Sequence, residues 1–214
     1  MRKKTKQAPR AAPGNTAAAR GNRSSRQRII QAASDLFENN GYHGTGLNEI
    51  VLRGKAPKGS IYYHFPGGKE QIATEAILLA GQALAERIRA NLVKKRNAAE
   101  AVRIFVDRMS FFVMASGFRS GGPLTIIASE TATTNDGLNR ACREAYDLIR
   151  EAFRMKLEEY GFAEPEAAAL SFGITAAVEG GVILSRTYHS RKPLRIVAKL
   201  LGEMVMAVGS VAKA

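Results

Sequence analysis

The chain has 214 residues, of which 45% are hydrophobic, with a single cysteine and a net charge of +13. A single cysteine cannot form a disulfide within the chain, and no run of letters approaches the roughly 18 apolar residues of a membrane span. No apolar stretch near the start could serve as a secretory signal. These features argue against a disulfide-stapled secreted domain and a membrane protein, and they predict a cytoplasmic location.

The positive charge is concentrated toward the N-terminal end. Residues 1–69 contain 13 basic and three acidic residues, a net charge of +10, whereas the other 145 residues contain 19 basic and 16 acidic residues, a net charge of +3. A basic end on a nearly neutral body predicts a polyanionic partner such as DNA. The alternative is a charged tail that aids solubility, or that binds nucleic acid or anionic surfaces nonspecifically and without effector control.

The predicted elements are all helices. Residues 1–22 have almost nothing apolar to bury and are predicted to be a disordered basic arm. Apolar residues at helical spacing then predict an all-α fold of about nine helices. These are 24–40, a very short helix between Thr45 and Gly54, 57–64, 69–93, 98–116, 123–131, 138–160, 165–189 and 193–208. In the third helix, Ile61 and Phe65 are predicted to point inward.

The two short helices and the helix before them predict a helix-turn-helix domain over residues 23–68, whose third helix would enter the major groove. Thr45 is placed to cap the second helix and to bond a phosphate, and Pro57 is placed to start the third. The segment 58–70, KGSIYYHFPGGKE, concentrates side chains that can donate to phosphates or reach base edges. The predicted DNA-binding residues are Arg23, Thr45, Gly46, Lys55, Lys58, Gly59, Ser60, Tyr62, Tyr63, His64 and Lys69.

The run TGLNEIVLRGKAPKGSIYYHFPGGKEQI, residues 45–72, resembles the N-terminal signature of the tetracycline-repressor (TetR) family of transcription regulators. The matching positions are Thr45, Lys58, Gly59, Ser60, Ile61, Tyr62, Tyr63, His64, Phe65, Lys69 and Glu70. The pieces APKGS and FPGGKEQ are similar to the branch that contains the LmrA and YxaF repressors.

One position departs from the family pattern. Family members usually carry Ala-Gly in the turn between the two short helices, whereas this chain has Gly54-Lys55. The glycine that permits a left-handed residue is therefore displaced by one. Either Lys55 adopts a positive φ or the turn is remodelled.

The resemblance implies that residues 69–214 form a helical domain that binds a small effector and dimerises. Phe and Met side chains with a few polar groups suit a cavity for an apolar or aromatic ligand, although aromatic residues at helical spacing are mostly ordinary core. The predicted pocket residues are Phe105, Met109, Phe112, Phe118, Ile126, Ser129, Glu130, Tyr146 and Phe172.

The same resemblance implies that the last two helices pair with those of a second copy as a four-helix bundle. The predicted interface residues are Ile174, Ala177, Val178, Gly181, Leu184, Val197, Leu201 and Met204. A monomer could also bury both apolar stripes internally. A dimer suits DNA, because two recognition helices about one helical turn apart can read a palindrome.

Motif and charge predict DNA binding, and the resemblance implies a ligand-responsive regulator, a repressor that an effector releases from a palindromic operator. An enzyme is disfavoured, because the chain has no Gly-x-Ser-x-Gly elbow, His-Glu-x-x-His pair or dinucleotide fingerprint. His43, His64 and His189 are scattered along the chain. No catalytic residue, metal site or cofactor is therefore predicted.

Overall fold

The computed structural model describes residues 24–57, 59–92, 97–119 and 121–211. Within these ranges the protein is all-α, as predicted. The helices are α1 (Ser25–Asn40), α2 (Leu47–Arg53), α3 (Ser60–His64), α4 (Gly68–Asn91), α5 (Ala98–Ala115), α6 (Pro123–Thr131), α7 (Asp136–Glu159), α8 (Glu164–Thr187) and α9 (Lys192–Val211). The arm predicted over residues 1–22 lies outside the described residues, and so do Arg23 and Lys58.

The N-terminal unit is built around α1. Ser24 accepts a hydrogen bond from the backbone N–H of Gln27, whose side chain accepts one from the backbone of Ser24 in return. This capping box satisfies two N–H groups that a helix start otherwise leaves unpaired. The apolar stripe from Ile29 to Phe37 is buried, and α1 contacts α2, α3, α4 and α6.

Two predicted helix starts are wrong. The N-cap of α2 is Gly46 rather than Thr45, and it makes no side-chain cap hydrogen bond. Thr45 is 1% exposed, and its hydroxyl donates to the backbone oxygen of Gly41 at 2.8 Å. The third helix begins at Ser60 instead of Pro57, because both the N–H and the hydroxyl of Ser60 bond to the carbonyl of Pro57 and close a turn there.

The C-terminal part consists of α4 to α9. Helix α4 crosses α7 closely at Gly81, where a Cβ would lie 2.7 Å from the Cβ of Ala145. Helix α5 packs on α9, and α8 contacts both α7 and α9. The proposed domain boundary at residues 68 and 69 falls at the start of α4, which contacts both α1 and α7, so one hydrophobic core runs through both units.

Helix α8 corrects the expectation that no segment approaches a membrane span. Among the described residues it is the one helix whose length and hydropathy would suffice for a crossing. The sequence pattern did not indicate this helix, because Glu166 and Glu179 interrupt its otherwise apolar and small residues. In the fold α8 packs against α5, α7 and α9, and 44% of its most apolar window is buried. That packing is typical of a core helix.

Candidate DNA-binding surface and effector cavity

The short helix α3 exposes aromatic side chains to solvent, and two buried residues hold it to the core. Ile61 is 2% exposed and Phe65 is fully buried, so the prediction that both point inward is confirmed. Tyr62 and Tyr63, between them, are 69% and 83% exposed. The ring of Tyr63 meets that of His64 edge-on, with centroids 4.9 Å apart. None of the five residues of α3 is acidic, so its exposed face offers hydroxyl and imidazole groups to an anion.

The turn between α2 and α3 contains a lysine whose backbone adopts the left-handed conformation. Lys55 has φ +48° and is exposed, which settles the two alternatives in favour of a positive φ at this residue. Gly54 has an ordinary right-handed conformation. A Cβ at Gly54 would lie 3.1 Å from the carbonyl of Ile50 and 3.2 Å from that of Arg28. Glycine is therefore needed at 54 for close packing on α1, while Lys55 makes the turn.

Two predicted phosphate contacts have roles inside the fold. The ammonium of Lys69 donates to the backbone oxygen of Thr45 at 2.8 Å and lies 4.3 Å from the ring centroid of Tyr42. Burial lowers the pKa of Lys69, and the charge of Glu130 opposes that shift. Lys69 thus ties the loop between α1 and α2 to the start of α4. Because the hydroxyl of Thr45 is also occupied, we leave both side chains out of the proposed DNA surface.

The remaining predicted DNA-binding residues lie at the starts of α2 and α3. Gly46 and Gly59 are exposed, and an added Cβ on either would meet nothing within 4 Å. Ser60 is partly buried, with its hydroxyl on the carbonyl of Pro57. The sequence prediction omitted Arg53, an exposed basic residue in the last turn of α2. Its charge beside the turn was the signal that could have included it.

Helix α6 is tied to the N-terminal unit through two carboxylates. Glu38 of α1 accepts the backbone N–H groups of Gly121 at 2.5 Å and Gly122 at 2.7 Å, just before α6. Glu130, in the last turn of α6, accepts the backbone N–H of His43 at 3.0 Å. Glu130 therefore links the two units, and its place in the effector pocket stays a prediction. Helix α6 is thus hydrogen-bonded both to α1 and to the loop that precedes α2.

A small cavity of about 10 Å³ lies between α4, α5, α7 and α8. Two of the predicted pocket residues, Phe105 and Met109, line it. The complete lining is Leu84, Ile88, Phe105, Met109, Ile149, Phe153, Thr175, Val178 and Glu179. With room for about one water, the cavity must open before it can hold an effector.

A polar cluster adjoins this cavity. The hydroxyl of Thr125, on α6, donates to the carboxylate of Glu179, and the Tyr146 phenol lies close enough to influence the pKa of that carboxylate. Burial raises the pKa of Glu179, against the lowering effect of these two hydroxyl groups. Burial also raises the pKa of the Tyr146 phenol. Tyr146 was predicted, whereas Glu179 was missed because an isolated acid in the apolar middle of a helix carries no motif.

Several predicted pocket residues lie elsewhere. Phe112 is 68% exposed and Phe172 is 59% exposed, with the guanidinium of Arg150 lying 4.5 Å from the ring centroid of Phe172. Ser129 is exposed, and its hydroxyl donates to the backbone of its own helix. Phe118 and Ile126 are partly buried. Helical spacing cannot decide which side of a helix meets a cavity, and the pocket assignments of Phe112, Phe172 and Ser129, which do not line this cavity, stay predictions.

A larger groove of about 710 Å³ runs along the surface of α7 and α8. Its lining is mostly charged and includes Arg140, Arg143, Asp147 and Arg154. An open, charged groove does not fit the apolar effector predicted from the sequence.

The outer face of α8 and α9 exposes large apolar side chains beside the charged Arg195, Lys199 and Glu203. Its large residues are Phe172, Ile183, Leu184, Ile196, Leu200 and Met206, each between 47% and 60% exposed. Four of the predicted dimer residues, Ile174, Val178, Gly181 and Leu201, are instead buried within the chain. A Cβ on Gly181 would lie 2.9 Å from Leu194 Cδ2, so that stripe packs α8 on α9 within the chain. Leu184 is exposed as an interface residue requires, and Ala177, Val197 and Met204 are partly buried.

The fold and the exposed helix α3 define a helix-turn-helix DNA-binding protein. Residues 29–76 match the family model described as bacterial regulatory proteins, tetR family. Residues 98–200 match the model described as transcriptional regulator LmrA/YxaF-like, C-terminal domain. The chain belongs to the TetR family of transcriptional regulators, as its signature predicted. It is accordingly a DNA-binding regulator and not an enzyme.

Two relatives from Bacillus subtilis match most of this chain and nearly all of their own length. The chain is 36% identical to the HTH-type transcriptional regulator YxaF over 185 residues, which is 86% of this chain and 97% of YxaF. It is 35% identical to the HTH-type transcriptional regulator LmrA over 181 residues, which is 85% of this chain and 96% of LmrA.

Solved structures share the fold. A TetR transcriptional regulator from Legionella pneumophila superposes with a TM-score of 0.73 at 22% identity, covering 85% of this chain and 97% of that one. A TetR transcriptional regulator from Chloroflexus aurantiacus gives a TM-score of 0.69 at 29% identity, covering 85% and 94%.

Proposed function

We propose that this regulator is a cytoplasmic repressor that binds a palindromic operator as a homodimer and leaves it when a small effector binds. The observation that carries the proposal is the geometry of α3, where two tyrosines are exposed on a helix anchored by buried Ile61 and Phe65. Exposed tyrosines on such an anchor favour a contact surface over core packing. Lys55, His64 and Arg53 lie on or beside this surface and add donors for phosphates.

The apolar outer face of α8 and α9 supports the homodimer. Residues such as Ile183, Leu200 and Met206 are about half exposed in the single chain. An isolated helical domain rarely leaves so many large apolar side chains in water on one face. A second copy that covers this face would give the assembly two α3 helices, one for each half of a palindrome.

Effector control is supported by the connection from the cavity to α1. The cavity wall contains Glu179, which bonds to Thr125 on α6. Helix α6 is in turn held to the N-terminal unit by Glu38 and Glu130. An effector that opens the cavity would favour a different position of α6, and the affinity for DNA would fall by the effector's differential affinity for the two states.

The test is a genomic selection followed by footprinting. Sheared genomic DNA from the source organism is passed over the immobilised protein, and retained fragments are protected from cleavage in a second step. We expect one protected region with two inverted half-sites, together with weaker retention in extracts that contain the effector. Uniform retention of all fragments, abolished by salt, would instead favour nonspecific binding by charge.

A further inference from the structure

Helix α3 is too short to set its own position. It has five residues, and a helix of that length gains little stability from its own hydrogen bonds. It packs on α1, and residues 65–67 join it to the start of α4. The angle at which α3 meets DNA therefore depends on the contacts that hold it between α1 and α4.

A network of side chains from α1 and α4 holds the C-terminal end of α3. The guanidinium carbon of Arg26, on α1, lies 5.3 Å from the ring centroid of the buried Phe65, which caps the end of α3. Nη2 of Arg26 donates to Oε2 of Glu75, on α4, at 2.5 Å. Oε1 of Glu75 accepts from Nε2 of Gln71 at 3.2 Å, and Oε1 of Gln71 accepts the backbone N–H of Gly67 at 3.0 Å. Arg26 is thus connected to the last residue of α3 and, through α4, to the loop that follows it.

The placement of the ion pair between Arg26 and Glu75 sets it apart. Within the described ranges it is the one ion pair that joins α1 to α4, since the others lie within α7, within α9, or between α5 and residues 191–195. The side chain of Arg26 is 46% exposed, and an ion pair in water contributes little to the stability of a fold. Its effect is geometric, because one planar guanidinium contacts both a ring and a carboxylate and so fixes the end of α3 relative to α1 and α4.

We propose that Arg26 is a positioning residue for operator recognition: by contacting Phe65 and Glu75, it holds α3 at the angle that matches the major groove. This inference rests on the proposed function of α3 as the helix that docks on DNA. The guanidinium of Arg26 is paired with a carboxylate of its own chain, so it acts on affinity through the tyrosines of α3 and not through a phosphate. Glu75, whose negative charge alone would oppose DNA binding, is thereby required for it.

The test measures the affinity of the full-length protein for the footprinted operator and for a scrambled duplex, by fluorescence anisotropy at several salt concentrations. Glu75→Gln should weaken operator binding about two- to fivefold, the worth of an exposed ion pair, although it removes a negative charge. Arg26→Met also loses the ring contact and should weaken operator binding about three- to thirtyfold. Arg26→Lys keeps a cation beside both partners and should bind more tightly than Arg26→Met. The control Glu86→Gln removes an exposed acid of α4 that is bonded to Gln82, outside this network, and should bind as the wild type does.

The salt dependence separates positioning from a direct phosphate contact. Because Arg26 and Glu75 contact each other and not DNA, the slope of log K against log salt should be the same for the wild type and every variant. Loss of a phosphate contact would instead reduce the magnitude of the slope by about 0.9. The proposal is overturned if Arg26→Met reduces the slope in this way, or if Glu75→Gln, which frees the arginine, binds the operator as tightly as the wild type or more tightly.

Hydrogen exchange supplies a readout that does not need DNA. The backbone N–H groups of Gly67 and Gly68 should exchange faster in Arg26→Met and Glu75→Gln than in the wild type and in Glu86→Gln. Unchanged exchange in both variants would overturn the proposal even if their operator affinity falls. If Arg26→Met does not fold, Arg26→Lys and Glu75→Gln carry both measurements. A wild type that does not prefer the operator to the scrambled duplex would refute the proposed function, and the exchange rates would still decide whether Arg26 holds the end of α3.

Discussion

Single substitutions at the two turn residues, Gly54 and Lys55, test how the helix-turn-helix is packed. Gly54→Ala places a Cβ 3.1 Å and 3.2 Å from the carbonyls of Ile50 and Arg28. Both neighbours are helix backbone and cannot rotate away. Lys55→Gly relieves the left-handed conformation, φ +48°, that a lysine adopts at some cost. The first change should therefore lower the free energy of unfolding and the second should raise it.

The magnitudes follow from these contacts. The added methyl group at position 54 overpacks the site, which destabilises the folded state by about 1–3 kcal/mol. Alanine also restricts the unfolded chain more than glycine does, which stabilises the protein by about 0.4–1 kcal/mol. Gly54→Ala should thus destabilise by about 0.5–2 kcal/mol. Left-handed strain at Lys55 costs about 1–2 kcal/mol, less the entropy that a new glycine adds to the unfolded chain. Lys55→Gly should thus stabilise by about 0.5–1 kcal/mol.

The assay is urea unfolding followed by circular dichroism, with thermal midpoints expected to move by roughly 2–4 °C per kcal/mol. Gly59→Ala is the matched control. Gly59 has φ −70°, and a Cβ there would meet nothing within 4 Å. The free energy of unfolding of the Gly59→Ala protein should therefore be unchanged or slightly raised. A Gly54→Ala protein as stable as the wild type, or a Lys55→Gly protein that is less stable, would refute this account of the turn.

Three further predictions concern the C-terminal part and its link to α1. Burial raises the pKa of the Cys142 thiol to about 11, so at pH 8 it should react with Ellman's reagent only when the protein is unfolded; rapid reaction of the native protein would contradict the burial. Leu200→Glu should convert a dimer into a species with the chain mass of 23.1 kDa by light scattering, whereas Leu79→Glu, on the exposed side of α4, should remain dimeric. Glu38→Gln should cost about 1–2 kcal/mol and speed hydrogen exchange at Gly121 and Gly122; unchanged exchange there would show that the carboxylate does not hold α6.

The helices were predictable because their apolar periodicity and breakers are strong signals. The pattern placed Ile61 and Phe65 inward, but it did not settle the exposure of Tyr62 and Tyr63, which the structure shows to be 69% and 83%. The start of α2 was mispredicted because threonine has two competing uses at a helix entrance. Thr45 bonds backward to Gly41 and not forward into the helix.

The C-terminal sites could not be assigned in the same way. A helix that packs on several neighbours has apolar residues on most sides, so its period does not show which stripe meets a second copy. Gly181 and Leu201 were predicted at the dimer interface because small and aliphatic residues suit close packing, but they pack α8 and α9 within one chain. Glu179 becomes visible as a site residue only when α4, α5, α7 and α8 assemble around it.

The most direct test of the central claim is a titration of the footprinted operator with wild type, Tyr63→Ala and Tyr188→Ala. Tyr188 is 69% exposed at the end of α8 and controls for the loss of an exposed tyrosine away from α3. We predict that Tyr63→Ala weakens operator binding by at least about tenfold, the worth of one hydrogen bond to a charged group, and that Tyr188→Ala binds as the wild type does. Equal affinities for all three proteins would contradict the assignment of α3 as the surface that docks on DNA.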